Sequence, residues 1–246
     1  MKILNETNFM SYLGGISAVL IKDTVDSRHP RIGLFNRPFT VQEEYLRVCL
    51  ISAGEVITAC DQLNYALIYL SRYQSRRTLE GELITRADYI IFQMENFYLR
   101  LGMIPDRSLR LTNEVFRLGL PARDCSERTV TDNEHVWRTH VRERLRAIDK
   151  VVNPHREARN KIAHLSRYND SAFLMIELFF MLQKSKDPTD DSLLEDVRHL
   201  YKRETDAYVE AKRKELGHVA RVLVEEVSHF FESLLPTFKL VHEKLK

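Results

Sequence analysis

The stretch that decides the fold is VCLISAGEVITACDQLNYALIYL, residues 48–70. Its apolar side chains recur every three or four positions, at Val48, Ile51, Val56, Ala59, Leu63, Ala66, Leu67 and Leu70. This is the period of a helix with one buried face, not the alternation of a half-buried strand. Thr40 followed by Glu43 is a capping box. The spacing therefore predicts a long amphipathic helix from Val41 to about Gln74.

The rest of the chain has the same helical character. Eight glycines and seven prolines in 246 residues are too few turn residues for a many-stranded fold. Periodicity predicts further helices over residues 83–101, 108–118, 132–152, 154–167, 172–183 and 192–235, the last broken near Gly217 and ending before Pro236. We therefore predict an all-α protein, an up-and-down helical bundle with a long C-terminal helix.

The organisation predicted from these helices has three parts. Residues 1–40 form an N-terminal extension, with a weak helix over 9–25 and a loop over 27–40. Residues 41–184 form the helical bundle. After a loop that contains Pro188, residues 185–246 form the long C-terminal helix, which packs on the bundle or on a dimer partner.

Composition indicates an unexported protein without membrane association. The longest nearly apolar run, Phe173 to Leu182, is ten residues, whereas a membrane span needs about 20. No basic start followed by a cleavage pattern is present, so we expect a cytoplasmic location. Cys49, Cys60 and Cys125 are odd in number and widely spaced, which favours reduced structural thiols over a zinc or redox site.

The segment Arg159-Asn160-Lys161-Ile162-Ala163-His164 joins a phosphate-binding group to a proton carrier. Arginine presents a planar fork of donors that matches phosphate oxygens. Histidine is the side chain that gives and takes protons near neutral pH. Together they suffice to cleave RNA without a metal or other cofactor, so we predict that Arg159, Asn160 and His164 are catalytic.

Helical geometry separates the two sides of this segment. On a helix over 154–167, Ala158, Ile162 and Leu165 share one side, which is expected to face the core. The opposite side carries a polar ridge with Arg159 at its edge, formed by Asn153, Arg156, Asn160, His164 and Arg167.

The ridge lies in the most basic part of the chain. Residues 100–167 hold 15 Arg and Lys against nine Asp and Glu, a net charge of +6, whereas the whole chain carries +2. Basic residues gain affinity for nucleic acid by releasing its counterions. We expect Arg156 and Arg167 to bind flanking phosphates of an RNA substrate.

These residues resemble the motif of HEPN-domain ribonucleases, which is an Arg, a polar residue, a variable gap and a His. Arg159, Asn160 and His164 match it position by position, and residues 86–120 are similar to stand-alone bacterial HEPN proteins. The resemblance covers residues 41–184. It implies a helical bundle that dimerises so that two motifs face each other, with metal-independent endoribonuclease activity in toxins, antiphage defence or RNA processing. An antitoxin or other partner protein is then expected.

Two alternatives stay open. HEPN-type modules without activity bind RNA or nucleotides, or mediate dimerisation. A di-metal site is the second alternative, because Glu215/His218 and Glu226/His229 are Glu-x-x-His pairs and Asp88 and Glu95 can supply further carboxylates. The two pairs lie eleven residues apart on one predicted helix, roughly 16 Å, which is too far for them to share a metal pair.

Overall fold

A computed structural model describes residues 2–26, 39–74, 76–78, 81, 83–184 and 191–245. The chain is all-α, as predicted, and ends in a long C-terminal helix. Its contacts group into two compact units. The first comprises Met1–Asp61, Met103–Asn153 and Val222–Lys246, and the second comprises Gln62–Gly102 and Pro154–Arg221.

Ten α-helices are found in the described part of the chain. They are α1 (Lys2–Asn5), α2 (Asn8–Asp26), α3 (Val41–Leu70), α4 (Arg86–Phe116), α5 (Glu127–Thr131), α6 (Glu134–Trp137), α7 (Val141–Val152), α8 (Arg156–His164), α9 (Ser171–Lys184) and α10 (Asp191–Lys244). The two strands β1 (Arg76–Arg77) and β2 (Leu83–Ile84) form one short antiparallel pair. Most of the predicted loops over 27–40 and 184–191 lies outside the described residues.

Helix α3 begins where the capping box predicted. The Thr40 backbone amide donates to Glu43 Oε2 at 2.8 Å, and the Glu43 amide donates to Thr40 Oγ1 at 3.2 Å. These reciprocal bonds satisfy two amides that the first helical turn leaves open. In the first unit, Tyr45 donates its hydroxyl to the Val115 carbonyl, and Arg107 donates to the Glu55 carbonyl. Helices α3 and α4 therefore run antiparallel, as in an up-and-down bundle.

The prediction of two helices over residues 83–118 was wrong. One helix, α4, runs through Gly102 and Pro105, and it starts at Arg86 because residues 83–84 form β2. Proline removes one backbone donor, but the apolar stripe continues without interruption on both sides of it, with Leu101 and Ile104 almost fully buried. Burial of this stripe outweighs the loss of one hydrogen bond, because most helix stability in proteins comes from packing.

The helix predicted over residues 132–152 is interrupted. Asn133 caps α6, and α7 starts only at Val141, after a turn. The apolar residues Val136, Val141, Leu145, Ile148 and Val152 form a buried stripe, but Trp137 is 55% exposed. Its ring instead contacts the Arg142 guanidinium, which lies 3.4 Å from the ring centroid.

Helix α10 is longer than predicted, since it passes through both Gly217 and Pro236 and ends at Lys244. In the first unit, Phe231 and Phe238 of α10 pack on Phe9 of α2 at centroid distances of 5.5 and 5.6 Å. Tyr45 stacks on Phe238 at 5.4 Å. This aromatic core lies on both sides of Pro236 and stabilises the helix through it.

The three cysteines are free thiols. Cys49 and Cys60 are buried, and Cys125 is half-buried, with no disulfide among them. Burial raises the pKa of the Cys60 thiol to about 12, so this thiol stays protonated and unreactive.

Across the described ranges, none of the helices has the length and apolarity that a bilayer crossing requires.

Candidate active site

The predicted catalytic residues lie on α8, a nine-residue helix in the second unit. A 3-10 turn over Asn153–His155 separates α8 from α7, so Asn153 and Pro154 restart the helix. Helix α8 ends at His164 because the amides of Leu165 and Ser166 both donate to the Lys161 carbonyl, at 2.8 and 2.9 Å. His164 is thus the last residue of the helix.

Arg159 lies flat against helix α4. A Cβ atom built on Gly102 would stand 2.9 Å from Arg159 Nε, 3.0 Å from its Cγ and 3.3 Å from its Cδ. Only a residue without a side chain permits this approach. Gly102, which the sequence suggested as a helix end, is therefore the seat of the predicted catalytic arginine.

The guanidinium of Arg159 is held at one edge by Asn160 and packs with its Nε against helix α4. Its Nη1 donates to Asn160 Oδ1 at 3.0 Å. Its Nε is buried and has no hydrogen-bond partner within the described structure. An unpaired buried donor on a charged group is costly.

Asn160 and His164 are both exposed, as the ridge predicted. The Asn160 amide oxygen accepts its hydrogen bond from Arg159. No residue in the described ranges bonds the His164 imidazole, so both ring nitrogens are accessible to a substrate. The spacing of four residues places the Asn160 and His164 side chains on one face of α8.

The two outer arginines of the ridge differ in their surroundings. Arg156 is exposed on the first turn of α8. Arg167 lies beyond the end of α8, and its Nη1 forms an ion pair with the buried carboxylate of Glu177 on α9. The prediction that Arg167 continues the helical ridge was wrong, because the helix ends three residues earlier.

The predicted core side of α8 is only partly buried. Ala158 and Ile162 are half-buried, but Leu165 is 81% exposed. The prediction for Leu165 failed because the chain leaves helical geometry at that residue, with φ −124° and ψ −45°. Periodicity assigns a face only while the helix continues.

A hydrogen-bond network follows the motif and fixes the chain after α8. Asp170 Oδ2 accepts from the hydroxyls of Tyr168 and Tyr208, both at 2.9 Å, and from Lys212 Nζ at 3.1 Å. Asp170 Oδ1 accepts from the Ala172 amide at 2.9 Å and caps α9. Burial alone would raise the pKa of Asp170, but these hydrogen bonds outweigh it and lower the pKa below the usual value.

The sequence analysis did not predict this network. Its only signal in the sequence is the residue types, since tyrosine, lysine and aspartate can bond one another when they are buried. Tyr168 also stacks on Tyr98 of α4 at 5.9 Å, and its amide donates to Glu95 Oε1 at 2.8 Å. His155, just before α8, contacts the Tyr98 ring at 6.0 Å. Burial lowers the pKa of His155, and Glu215 partly opposes this shift.

The carboxylates of the di-metal alternative are engaged elsewhere. Asp88 caps α4 through Thr85, and Glu95 accepts from the Tyr168 amide. Glu215 bonds Lys212, and Glu226 forms an ion pair with Arg144. Over the described residues, no group of three or more His, Cys, Asp or Glu side chains is arranged to hold a metal ion.

Some arginines of the basic stretch over residues 100–167 are bonded within the first unit. In the first unit, Arg142 pairs with Asp132 at 3.5 Å and Arg144 pairs with Glu226 at 3.8 Å. Arg107 is bonded to the Glu55 carbonyl. These arginines stabilise the first unit.

A family comparison decides the class of the chain. A family model described as Cthe2314-like HEPN matches residues 48–232, about three quarters of the sequence. The chain is a HEPN-domain protein. The matched range contains α8 and the Arg159–His164 motif, and it extends into α10. No curated protein and no solved structure matches this HEPN-domain protein. The family supports a nucleotide-binding or ribonuclease-like class.

Proposed function

We propose that this HEPN domain is a metal-independent endoribonuclease whose active site is built on α8. The observation that carries the proposal is the packing of Arg159 on Gly102, together with its bond to an exposed Asn160 and an exposed histidine on the same helix. A phosphate would contact the guanidinium donors of Arg159 that Asn160 does not occupy.

In the proposed reaction, the RNA 2′-oxygen attacks the adjacent phosphorus. The new P–O2′ bond forms as the P–O5′ bond breaks, which leaves a 2′,3′-cyclic phosphate and a free 5′-hydroxyl. One proton leaves the 2′-hydroxyl and one is delivered to the departing 5′-oxygen. His164 carries one of these protons, a contribution of about 10²–10⁴ in rate.

Arg159 stabilises the negative charge that develops on the non-bridging phosphate oxygens. Asn160 holds the Arg159 guanidinium through its amide oxygen and offers its amide nitrogen to the phosphate. Arg156 and Arg167 bind the flanking phosphates, with Arg167 sharing its charge with Glu177. No cofactor is needed for any of these steps.

A single motif supplies one histidine, whereas the reaction needs an acid and a base. We therefore infer a homodimer in which the second proton carrier comes from the partner's motif. Specific activity should then rise with protein concentration across the dimer dissociation range, in parallel with the mass measured by light scattering. Activity that is independent of concentration in a monomeric protein would contradict the composite site.

The deciding experiment incubates purified protein with labelled RNA in excess EDTA. We expect cleavage products with 2′,3′-cyclic phosphate and 5′-hydroxyl ends, and loss of at least about 100-fold in rate for His164→Ala and Arg159→Ala. His140→Ala and Arg123→Ala are matched controls, because both side chains are 87% exposed and lie outside the motif.

Two outcomes would overturn the proposal. Cleavage that EDTA abolishes contradicts metal independence. Cleavage that persists in His164→Ala contradicts the role of His164 as a proton carrier. Saturable RNA binding that Arg159→Ala removes, without turnover in any condition, assigns the non-catalytic HEPN module instead. If cleavage is found, growth arrest on expression of the wild type but not of His164→Ala would support a toxin or defence role with a restraining partner protein.

A further inference from the structure

The second unit carries an apolar surface that the proposed function does not use. The surface opens from a pocket of about 730 Å³, where the end of α3, the strand pair and the first turns of α4 meet. Phe92, in the pocket lining, lies ten residues before Gly102 on α4, which is about 15 Å along the helix axis. The surface is therefore separate from the place where Arg159 packs.

Exposed apolar side chains on two helices form this surface. Phe92 is 62% exposed and Tyr69 is 50% exposed, and both line the pocket. The exposure continues to Tyr65, one turn earlier on α3, and to Leu99, two turns later on α4. Because α3 and α4 run antiparallel, both steps lead the same way from the pocket. These four residues are called the aromatic surface below, and exposed apolar patches of this kind mark protein interaction sites.

Hydrogen bonds between the two helices and the strand pair fix the shape of the pocket. Tyr89 of α4 donates its hydroxyl to the Tyr69 carbonyl at 2.9 Å. Tyr73 donates its hydroxyl to the Ile84 carbonyl of β2 at 2.7 Å, and its ring contacts the Tyr89 ring at a centroid distance of 5.6 Å. A surface that is already formed loses little conformational entropy when a partner binds.

The pocket end of the aromatic surface is positively charged. Arg72 and Arg76 both line the pocket, and neither forms an ion pair with a carboxylate in the described parts of the chain. Arg76 donates to Gln74 Oε1 at 3.0 Å and keeps further donors. Asp88, also in the lining, accepts from the Thr85 amide and hydroxyl at 2.9 and 2.8 Å. Two arginines against one carboxylate favour an acidic partner.

The side chains of the surface favour a protein partner over a nucleic acid. Tyrosine, phenylalanine and arginine are the residues that protein interfaces concentrate. The aliphatic side chains of Leu99 and Ile84 offer no ring for a base to stack on. Phe92 and Leu99 lie seven residues apart, about 10 Å along α4, which matches two turns of the apolar stripe on an amphipathic helix.

We propose that the aromatic surface binds an acidic amphipathic helix of a partner protein. One large apolar side chain of that helix enters the pocket between Phe92 and Tyr69, and the rest of its apolar stripe packs toward Tyr65 and Leu99. Its acidic residues at the pocket end pair with the two arginines. The proposal does not depend on RNA cleavage, because the surface lies apart from α8.

The test titrates two synthetic helical peptides into the full-length protein, without RNA, and follows binding by calorimetry. Both peptides carry leucines with the i, i+3, i+4, i+7 spacing; one has glutamates at the remaining positions, and the other has lysines. We expect saturable binding of the acidic peptide that is at least about tenfold tighter than that of the lysine peptide. The difference should shrink as the salt concentration rises.

Two variants separate the apolar contact from the charged one. Phe92→Ala should weaken the acidic peptide about tenfold or more without lowering the melting temperature, because the side chain is mostly exposed. Met175→Ala is its matched control, since Met175 is 60% exposed but lies on α9. The double variant Arg72→Glu/Arg76→Glu should reverse the preference and bind the lysine peptide. Arg123→Glu, in the first unit, should leave the preference unchanged.

Three results would overturn the proposal. The first is a lack of saturable binding of the acidic peptide, or equal binding of both peptides. The second is a loss of RNA binding in the double variant while its binding of the acidic peptide is unchanged, which would assign the surface to a nucleic acid. The third is a dimer without peptide, measured by light scattering, that Phe92→Ala dissociates, which would assign the surface to a second copy of the chain.

Discussion

Gly102→Ala is the substitution that best tests the geometry of the candidate site. The added methyl group would stand 2.9 Å from Arg159 Nε and 3.0 Å from Cγ, whereas ordinary contacts begin at 3.4 Å. The Nε atom must therefore move by about 0.5 Å. Because Cγ is close to the backbone, rotation of the side-chain tip does not relieve the contact, and the whole arginine has to leave its place.

The expected effects of Gly102→Ala on stability and on the cleavage rate have opposite directions. Alanine favours a helix over glycine by about 1 kcal/mol, so the fold should be stable and its melting temperature unchanged or raised. In catalysis, a misplacement of about 1 Å costs roughly 100-fold in rate. We therefore expect the cleavage rate of Gly102→Ala to fall roughly 10- to 100-fold, without loss of folded protein.

Gly54→Ala is the matched control. Gly54 lies inside helix α3, and a Cβ at this position would meet no atom within 4 Å. It gains the same helix propensity without touching Arg159. Single-turnover cleavage and thermal melts of both variants decide the question, and the NMR signal of Arg159 Nε reports its displacement independently of activity. A wild-type rate for Gly102→Ala, or an equal loss in Gly54→Ala, would refute the reasoning.

Three further predictions concern stability. Thr40→Ala removes the reciprocal hydrogen bonds with Glu43 and should lower the free energy of unfolding by about 1 kcal/mol in urea titrations; no change would show that the cap is not formed in solution. Asp170→Asn should be less stable than the wild type at pH 7. The difference should narrow as pH falls below 3.8, because the lowered pKa of Asp170 gives stability that protonation removes. Urea midpoints across pH measure this, and a constant difference would contradict it. Leu165→Ala should cost less than about 0.5 kcal/mol, since the side chain is 81% exposed, whereas Leu145→Ala in the buried stripe of α7 should cost about 2–5 kcal/mol.

Local signals predicted most of the helical fold. The capping box at Thr40 predicted the start of α3, and periodicity predicted most of α9, which Asp170 caps. The helix ends predicted near two prolines were wrong. Those predictions considered the backbone hydrogen bond that proline removes, but not the burial of the apolar residues around it. Pro105 and Pro236 each lie inside one long helix whose apolar stripe is buried on both sides.

At the candidate site, too, local sequence signals and packing between helices decided different features. The sequence by itself determined the α-helical class, the motif and the exposed face that carries Asn160 and His164. Periodicity, caps and residue chemistry act over a few neighbouring residues, so they can be read from the chain.

Only the tertiary structure decided that Arg159 rests on Gly102, that Glu177 pairs with Arg167, and that Leu165 leaves the helix. The first two depend on residues 57 and ten positions apart in the chain, brought together by packing. No local pattern encodes a contact of that kind, because the partner is selected by the arrangement of whole helices. The predicted motif thus became a site with a specific seat for its arginine.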